Sequence, residues 1–132
     1  MLKQINYQEA RKLKAHALKE FVDIDSNPNN VWFGCYNSDD LVGVGCYLLL
    51  KNTHVRLKGL FVKSEFRRKG IAKTLTDACV KHSQGKLFSA FATNQSLPMY
   101  WKYFSIQYEK DRKVQVREQE IQITYIKFRT YA

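Results

Sequence analysis

The chain is poor in proline (two residues), glycine (six) and cysteine (three), and it has no purely apolar run longer than "CYLLL" at 46–50. The lack of a long apolar run excludes a membrane-spanning helix. The opening stretch "MLKQINYQEARKLK" lacks the apolar centre of a secretory signal. Glu9 and the ordinary helical pattern around it also disfavour a basic amphipathic presequence. Cys35, Cys46 and Cys79 are odd in number and far apart, no Cys-x-x-Cys occurs, and His16, His54 and His82 are scattered. Neither a disulfide framework nor a zinc site is indicated, and no metal is expected. Buried thiols in a reducing compartment fit such cysteines, so a cytoplasmic location is expected. With no linker, repeat or low-complexity tract, residues 1–132 read as a single domain, long enough to bury a core unaided.

Acids are also scarce: 12 Asp and Glu stand against 22 Lys and Arg, a net charge of +10. The imbalance is local. Between Lys51 and Lys73 eight basic residues face the single acid Glu65, which accounts for seven of the ten surplus charges. A solvated basic face would explain this, and so would a site for a polyanion, either a phosphorylated cofactor or nucleic acid.

The pattern predicts a short strand at "MLKQIN" and one helix over "YQEARKLKAHALKEFVDI", where Ala10, Leu13, Ala17, Phe21 and Ile24 recur at helical spacing. "DSNPNN" ends it. "VWFGCY" and "LVGVGCYLLL" flank the polar turn "NSDD" as a hairpin, and "HVRLKGLFV" is the next strand. That strand alternates until Gly59. Leu60, Phe61 and Val62 are then apolar in succession, which suggests a bulge or a close approach to the main chain. A helix is expected over 68–83, a strand at "KLFSAFA", a short helix at "SLPMYWKYF" with Ser96 as its N-cap, and two closing strands. The expected fold is α/β: a mixed, largely antiparallel twisted sheet flanked by helices.

"RRKGIA", Arg67 to Ala72, fits the form [Q/R]-x-x-G-x-[G/A] and lies between a strand and an amphipathic helix. The first amides of a helix have no intrahelical acceptor. Gly70 permits a tight turn and close approach to the main chain. Amides and helix dipole together make a pyrophosphate cradle, which Arg67, Arg68, Lys69 and Lys73 could supplement. A bound polyanion accounts for cations at the end of a helix that ordinarily prefers acids.

At this point the sequence resembles the GNAT superfamily of N-acetyltransferases, from "VWFGCYNSDDLVGVGCYLLL" to the closing strands, with "GLFVKSEFRRKGIAKTLTDACV" similar to that family's acetyl-coenzyme A motif. The resemblance implies a GNAT-like fold and acetyl-CoA as co-substrate. Its pyrophosphate falls on Arg67 to Lys73, including Ile71 and Ala72. The pantetheine arm falls on the main chain of Leu60, Phe61 and Val62. Asn94 matches a polar position after the following strand. Tyr100 matches the family's tyrosine, with Tyr103 a second candidate because Ser105-Ile106 replaces the family's Gly-Phe and shifts the register. The chemistry implied is attack of a deprotonated amine on the thioester, polarisation of the carbonyl by main-chain N–H groups, and a proton from tyrosine to the departing thiolate.

No general base is assigned, since neither central strand carries an acid; Glu65 lies beside the phosphates and His54 is expected to face solvent. The roughly 25 residues between the first two strands hold one helix and a turn, fewer than in many members. That suggests an open acceptor side suited to a protein or other macromolecular end. Cationic acceptors are disfavoured by like charge. The alternative from another class is a non-catalytic, basic nucleic-acid-binding module, with Tyr100, Trp101, Tyr103 and Phe104 stacking bases, and RNA contact is compatible with either reading. The sequence sets no preference between monomer and homodimer.

Overall fold

The computed structural model describes residues 1–131. Its strands are β1 (Leu2–Ile5), β2 (Val31–Asn37), β3 (Asp40–Lys51), β4 (His54–Val62), β5 (Leu87–Ala92), β6 (Phe104–Val116) and β7 (Gln119–Thr130). They form one sheet in the order β1-β2-β3-β4-β5-β7-β6. Only the β4–β5 pair is parallel. The helices are α1 (Tyr7–Ala10), α2 (Lys14–Leu18), α3 (Ile71–Ser83) and α4 (Leu97–Tyr103). No helix among the described residues is long and apolar enough to cross a membrane.

The sheet has a core on each face. On one, α3 presents Leu75 and Cys79 to Tyr47, Val55, Leu57 and Phe88, and α4 extends the layer over Phe104 and Phe128. On the other, Ala10, Leu13 and Ala17 from the α1–α2 segment pack on Trp32, Val44 and Phe61. Gly43 and Gly45 let α3 lie close to β3, since a Cβ on either would come within 3.2 Å of Leu75.

Residues 7–24 are not the single helix that periodicity predicts. A 3-10 turn at Arg11–Leu13 separates α1 from α2, although Ala10, Leu13 and Ala17 still share the buried face. Helical structure stops at Leu18. The Val22 N–H bonds to the Ala17 carbonyl and the Phe21 N–H to that of Leu18, while Phe21 sits at φ +64°. This is a left-handed helix stop of the kind usually built on glycine; a phenylalanine in that position gave no sequence signal. α3 begins three residues later than expected. Arg68 (φ +63°) and Gly70 (φ +80°) are both left-handed and cannot be helical. Ser96 occupies the N-cap position of α4, but its hydroxyl turns back to the Thr93 carbonyl and caps no amide.

The predicted irregularity at Gly59 is a β-bulge. Between the pairs Val44↔Phe61 and Cys46↔Lys58, β4 has two residues where β3 has one. The extra residue explains the three successive apolar side chains. Leu60 and Val62 pack on the α3 side, while Phe61 joins the α1–α2 core. Gly59 has φ +61°, and a Cβ there would lie 2.6 Å from the Trp32 ring. Gly59→Ala should destabilise the protein by about 2–4 kcal/mol, the sum of left-handed strain and overpacking. Urea unfolding followed by tryptophan fluorescence checks this; a midpoint equal to that of the parent would contradict the packing described.

Candidate active site

β4 and β5 touch over only three pairs, His54↔Leu87, Val55↔Phe88 and Arg56↔Ser89. The bulge follows at once, and a bulge bends its strand and raises its twist. From Leu57 onward β4 has no strand partner on the β5 side. The strands splay, and between them opens a cleft of about 320 Å³, lined by Arg56, Lys58, Leu60, Ala90, Phe91 and Tyr100 among others.

Tyr100 projects from α4 into this fork and is 3 % exposed. Its ring packs on Phe128 at a centroid distance of 5.1 Å and on Phe104 at 6.2 Å. Burial, and then the neighbouring Cys79, push its pKa up, with no hydrogen bond contributing, so the phenol keeps its proton at any physiological pH. Tyr103, by contrast, is 39 % exposed and lies under the Lys73 and Lys102 ammonium groups, outside the fork. Beside Tyr100 a void of about 10 Å³ is bounded by Gly45, Cys46 and Cys79. Burial pushes the Cys46 thiol up and the Cys79 thiol up to about 12, so both stay protonated and unreactive.

The loop from Lys63 to Gly70 leads to α3. The first intrahelical bond there runs from the Thr74 N–H to the Gly70 carbonyl, so the amides of Ile71, Ala72 and Lys73 have no helical acceptor. A Cβ on Gly70 would meet nothing within 4 Å. The turn at Gly70 is therefore uncrowded, and free amides at a helix start are donors of the kind that suit a pyrophosphate.

The four cations expected there divide. Arg68 and Lys69 are exposed at the turn. Arg67 folds back: its Nε donates to the Val62 carbonyl at 2.9 Å, and its guanidinium pairs with both Glu20 oxygens at 2.7 Å. Lys73 pairs with Asp77 one turn along α3. Arg67 and Lys73, both expected as phosphate ligands, thus each have a carboxylate partner in this structure. Arg67 instead ties the loop to the end of β4 and to the segment after α2.

The remaining expected positions are not all brought together. Leu60 lines the fork, Phe61 turns to the opposite face beneath the Arg67 guanidinium, and Val62 offers its carbonyl to Arg67. Asn94 lines a depression with Lys19, Glu20 and Phe21 that adjoins the cleft at Phe21 and Thr93 and is not lined by Gly70. Tyr100 and Phe104 are core residues, which removes two rings from the base-stacking array that the nucleic-acid alternative placed on α4. His54 does not face open solvent; its Nε2 lies 3.0 Å from the buried Ser89 hydroxyl, at the closed end of the fork.

Sequence reading missed two acids. Asp23 and Asp25, from the loop after α2, line the cleft. Asp25 pairs with Lys58 at 2.6 Å. Burial pushes its pKa up, but Lys58, the Asn27 N–H and the Asn30 amide outweigh this and hold it below the usual carboxylate value. Asp23 is looser, 3.9 Å from Lys14. The cleft therefore balances two acids against Arg56 and Lys58, so the net charge of the chain does not act there to repel a cation. Among the described residues no group of three or more His, Cys, Asp or Glu could hold a metal.

The family model described as "Acetyltransferase (GNAT) family" matches residues 2–104. Three solved structures with the same fold illustrate the likeness. An IAA acetyltransferase from Bacillus cereus is 13% identical, with a TM-score of 0.68 over 97% of this chain and 96% of that one. An acetyltransferase of the GNAT family from Streptococcus pneumoniae is 10% identical, with a TM-score of 0.69 over 97% and 96%. A GNAT family acetyltransferase from Elizabethkingia anophelis, solved with acetyl-CoA bound, is 13% identical, with a TM-score of 0.63 over 100% and 97%. No curated protein matches the chain in sequence.

Because the Tyr100 hydroxyl makes no stabilising hydrogen bond, Tyr100→Phe should leave stability within about 0.5 kcal/mol of the parent. A melting temperature more than a few degrees lower, by calorimetry, would mean that the hydroxyl has a structural partner.

Proposed function

Since the chain belongs to the GNAT acetyltransferase family and has its fold, we propose that it is an N-acetyltransferase acting on an exposed amine, with a protein or other macromolecular end as acceptor. One observation carries this reading: a buried tyrosine with a raised pKa stands in a splayed, solvent-connected fork whose strand leads to an uncrowded helix start with free amides.

In this reading the coenzyme's pyrophosphate lies against the amides following Gly70, with Arg68 and Lys69 beside it. The side of β4 away from β3, from Leu57 to Phe61, would receive the pantetheine amides as a strand edge receives a peptide. Bound there, acetyl-CoA supplies an acetyl group activated as a thioester. Main-chain N–H groups around Leu60 would hold a developing oxyanion. Tyr100 Oη holds the proton that a departing sulfur requires. Raised well above its ordinary value, this phenol is fully protonated at neutral pH and remains so as pH rises. Asp25, depressed and bound to Lys58, is a weak base, so solvent removes the proton from the acceptor ammonium. Asp23 at the cleft rim attracts that ammonium before it loses its proton. The loop of 19–30 and the cleft mouth leave the acceptor side open, which suits an amine carried on a large molecule.

Tyr100→Phe should lower kcat about a hundredfold with coenzyme affinity unchanged, while Tyr103→Phe leaves both intact. Thiol release from acetyl-CoA against a panel of peptide and polyamine amines measures this; equal losses in both variants would refute the assignment. With the parent, turnover should rise with pH as the amine deprotonates and show no downturn up to about pH 9.5, since the tyrosine proton is retained. At Gly70 the left-handed backbone strains valine, so Gly70→Asn is the sharper probe: asparagine tolerates that conformation and projects into the cradle. It should weaken coenzyme binding at least tenfold by calorimetry with the melting temperature nearly unchanged. Undiminished affinity would remove the cradle from the reading.

A further inference from the structure

The face of the sheet turned away from α3 is covered by α1 and α2 over β1 to the C-terminal part of β4, where Phe61 joins their core, and the segment after α2 lies beside the start of β7. Across β5, β7 and β6, no helix among the described residues packs on it. Phe91 is 46 % exposed and Tyr108 47 % exposed. Register places Ser89 opposite Lys127 and Phe91 opposite Tyr125, with Lys110 opposite Tyr125 from the far side. These residues therefore share the face.

The rings step across three adjacent strands. Phe91 and Tyr125 have centroids 5.0 Å apart, and Tyr125 and Tyr108 6.2 Å. Both spacings exceed the roughly 3.4 Å between stacked bases along a duplex strand. Cations interleave with the rings. The Arg56 guanidinium is 4.8 Å from the Phe91 centroid, and that of Arg112 is 6.0 Å from Tyr125. Arg56 is held in place by its Nε bond to Ser89 Oγ at 2.9 Å. The field of this cluster reaches His54 at its edge, whose pKa is pushed down by burial and then by Arg56 and Lys127.

The strand acids lie on the other face. Glu109 receives the Trp101 indole N–H, Asp111 receives the Thr124 hydroxyl, and Glu120 pairs with Lys113 at 3.9 Å. Among the described residues of β5, β6 and β7, no position on the open face is an acid. A second copy docked face to face would oppose Arg56, Lys110, Arg112 and Lys127 with their own like charges, which disfavours self-association. Flat rings alternating with cations suit a polyanion that itself carries flat rings.

We propose that this open sheet face binds single-stranded nucleic acid, with bases on Phe91 and Tyr108 and phosphates on Arg56, Lys110, Arg112 and Lys127. The surface is separate from the aromatic cluster of α4 and from the Gly70 cradle, and it does not depend on the transferase reading. It meets the cleft at Arg56 and Phe91, so a bound strand would run to the mouth of the fork.

Fluorescence anisotropy with a fluorescein-labelled uridine 12-mer tests this on the full chain. With four phosphate contacts, affinity should fall roughly fiftyfold between 50 and 200 mM KCl. Phe91→Ala with Tyr108→Ala should weaken binding at least tenfold at fixed salt, as expected for two lost stacking partners. Lys110→Glu with Arg112→Glu, both on exposed side chains, should weaken it and flatten the salt dependence; this pair serves if the aromatic variant melts early. Saturating acetyl-CoA should not displace the oligonucleotide. No binding at 50 mM, binding unaffected by either variant, displacement by acetyl-CoA, or equal competition by polyglutamate would each overturn the proposal. The last would mark the face as one for acidic proteins.

Discussion

The short parallel contact between β4 and β5 governs the rest of the molecule. Three residue pairs join β4 to β5, and a bulge at a left-handed glycine packed against Trp32 follows soon after them. Had the ladder continued, the main chain of β4 would be satisfied by β5 and no cleft would exist. Because it stops, β4 keeps a free edge, α4 drops Tyr100 into the gap, and the loop after α2 can bring Asp23 and Asp25 to its rim. A buried phenol at that position is stable only as the neutral form, which is the form a proton donor requires.

The concentration of basic residues between Lys51 and Lys73 is not one patch. Lys58 goes to Asp25, Arg67 to Glu20 and Lys73 to Asp77, each with its own carboxylate. Arg68 and Lys69 stand at the turn before α3, and Arg56 lies on the far face of the sheet against Phe91. A stretch that reads as a single polyanion site thus separates into ion pairs, an exposed turn at a helix start and the edge of an aromatic surface. The Glu20–Arg67 pair also links the segment after α2 to the loop before α3, so two elements far apart in sequence close on one side of the fork.

What the sequence could determine was local. Strand alternation, the hairpins, the amphipathic α3 and the glycine at its start follow from spacing and backbone sterics, and so does the irregularity at Gly59. The same spacing overran at residues 7–24, because a 3-10 turn keeps Ala10, Leu13 and Ala17 inward as well as an α-helix does, and Phe21 stops the helix without a glycine. The two candidate tyrosines, three residues apart on one short helix, were also indistinguishable by pattern. Packing separates them, with Tyr100 against Phe128 and Tyr103 under Lys73.

Tertiary structure alone decided the partners. Which carboxylate meets which cation depends on how loops lie across the sheet, and nothing in a linear pattern records that Glu20 reaches Arg67 or that Asp25 reaches Lys58 across more than thirty residues. The cleft acids and the uncovered aromatic face arise from strand order and register, since β7 inserts between β5 and β6 and aligns Phe91 with Tyr125. Composition and periodicity fix what each segment prefers to be, because those preferences act over a few bonds. Sites are made where segments meet, and that is a property of the assembled sheet.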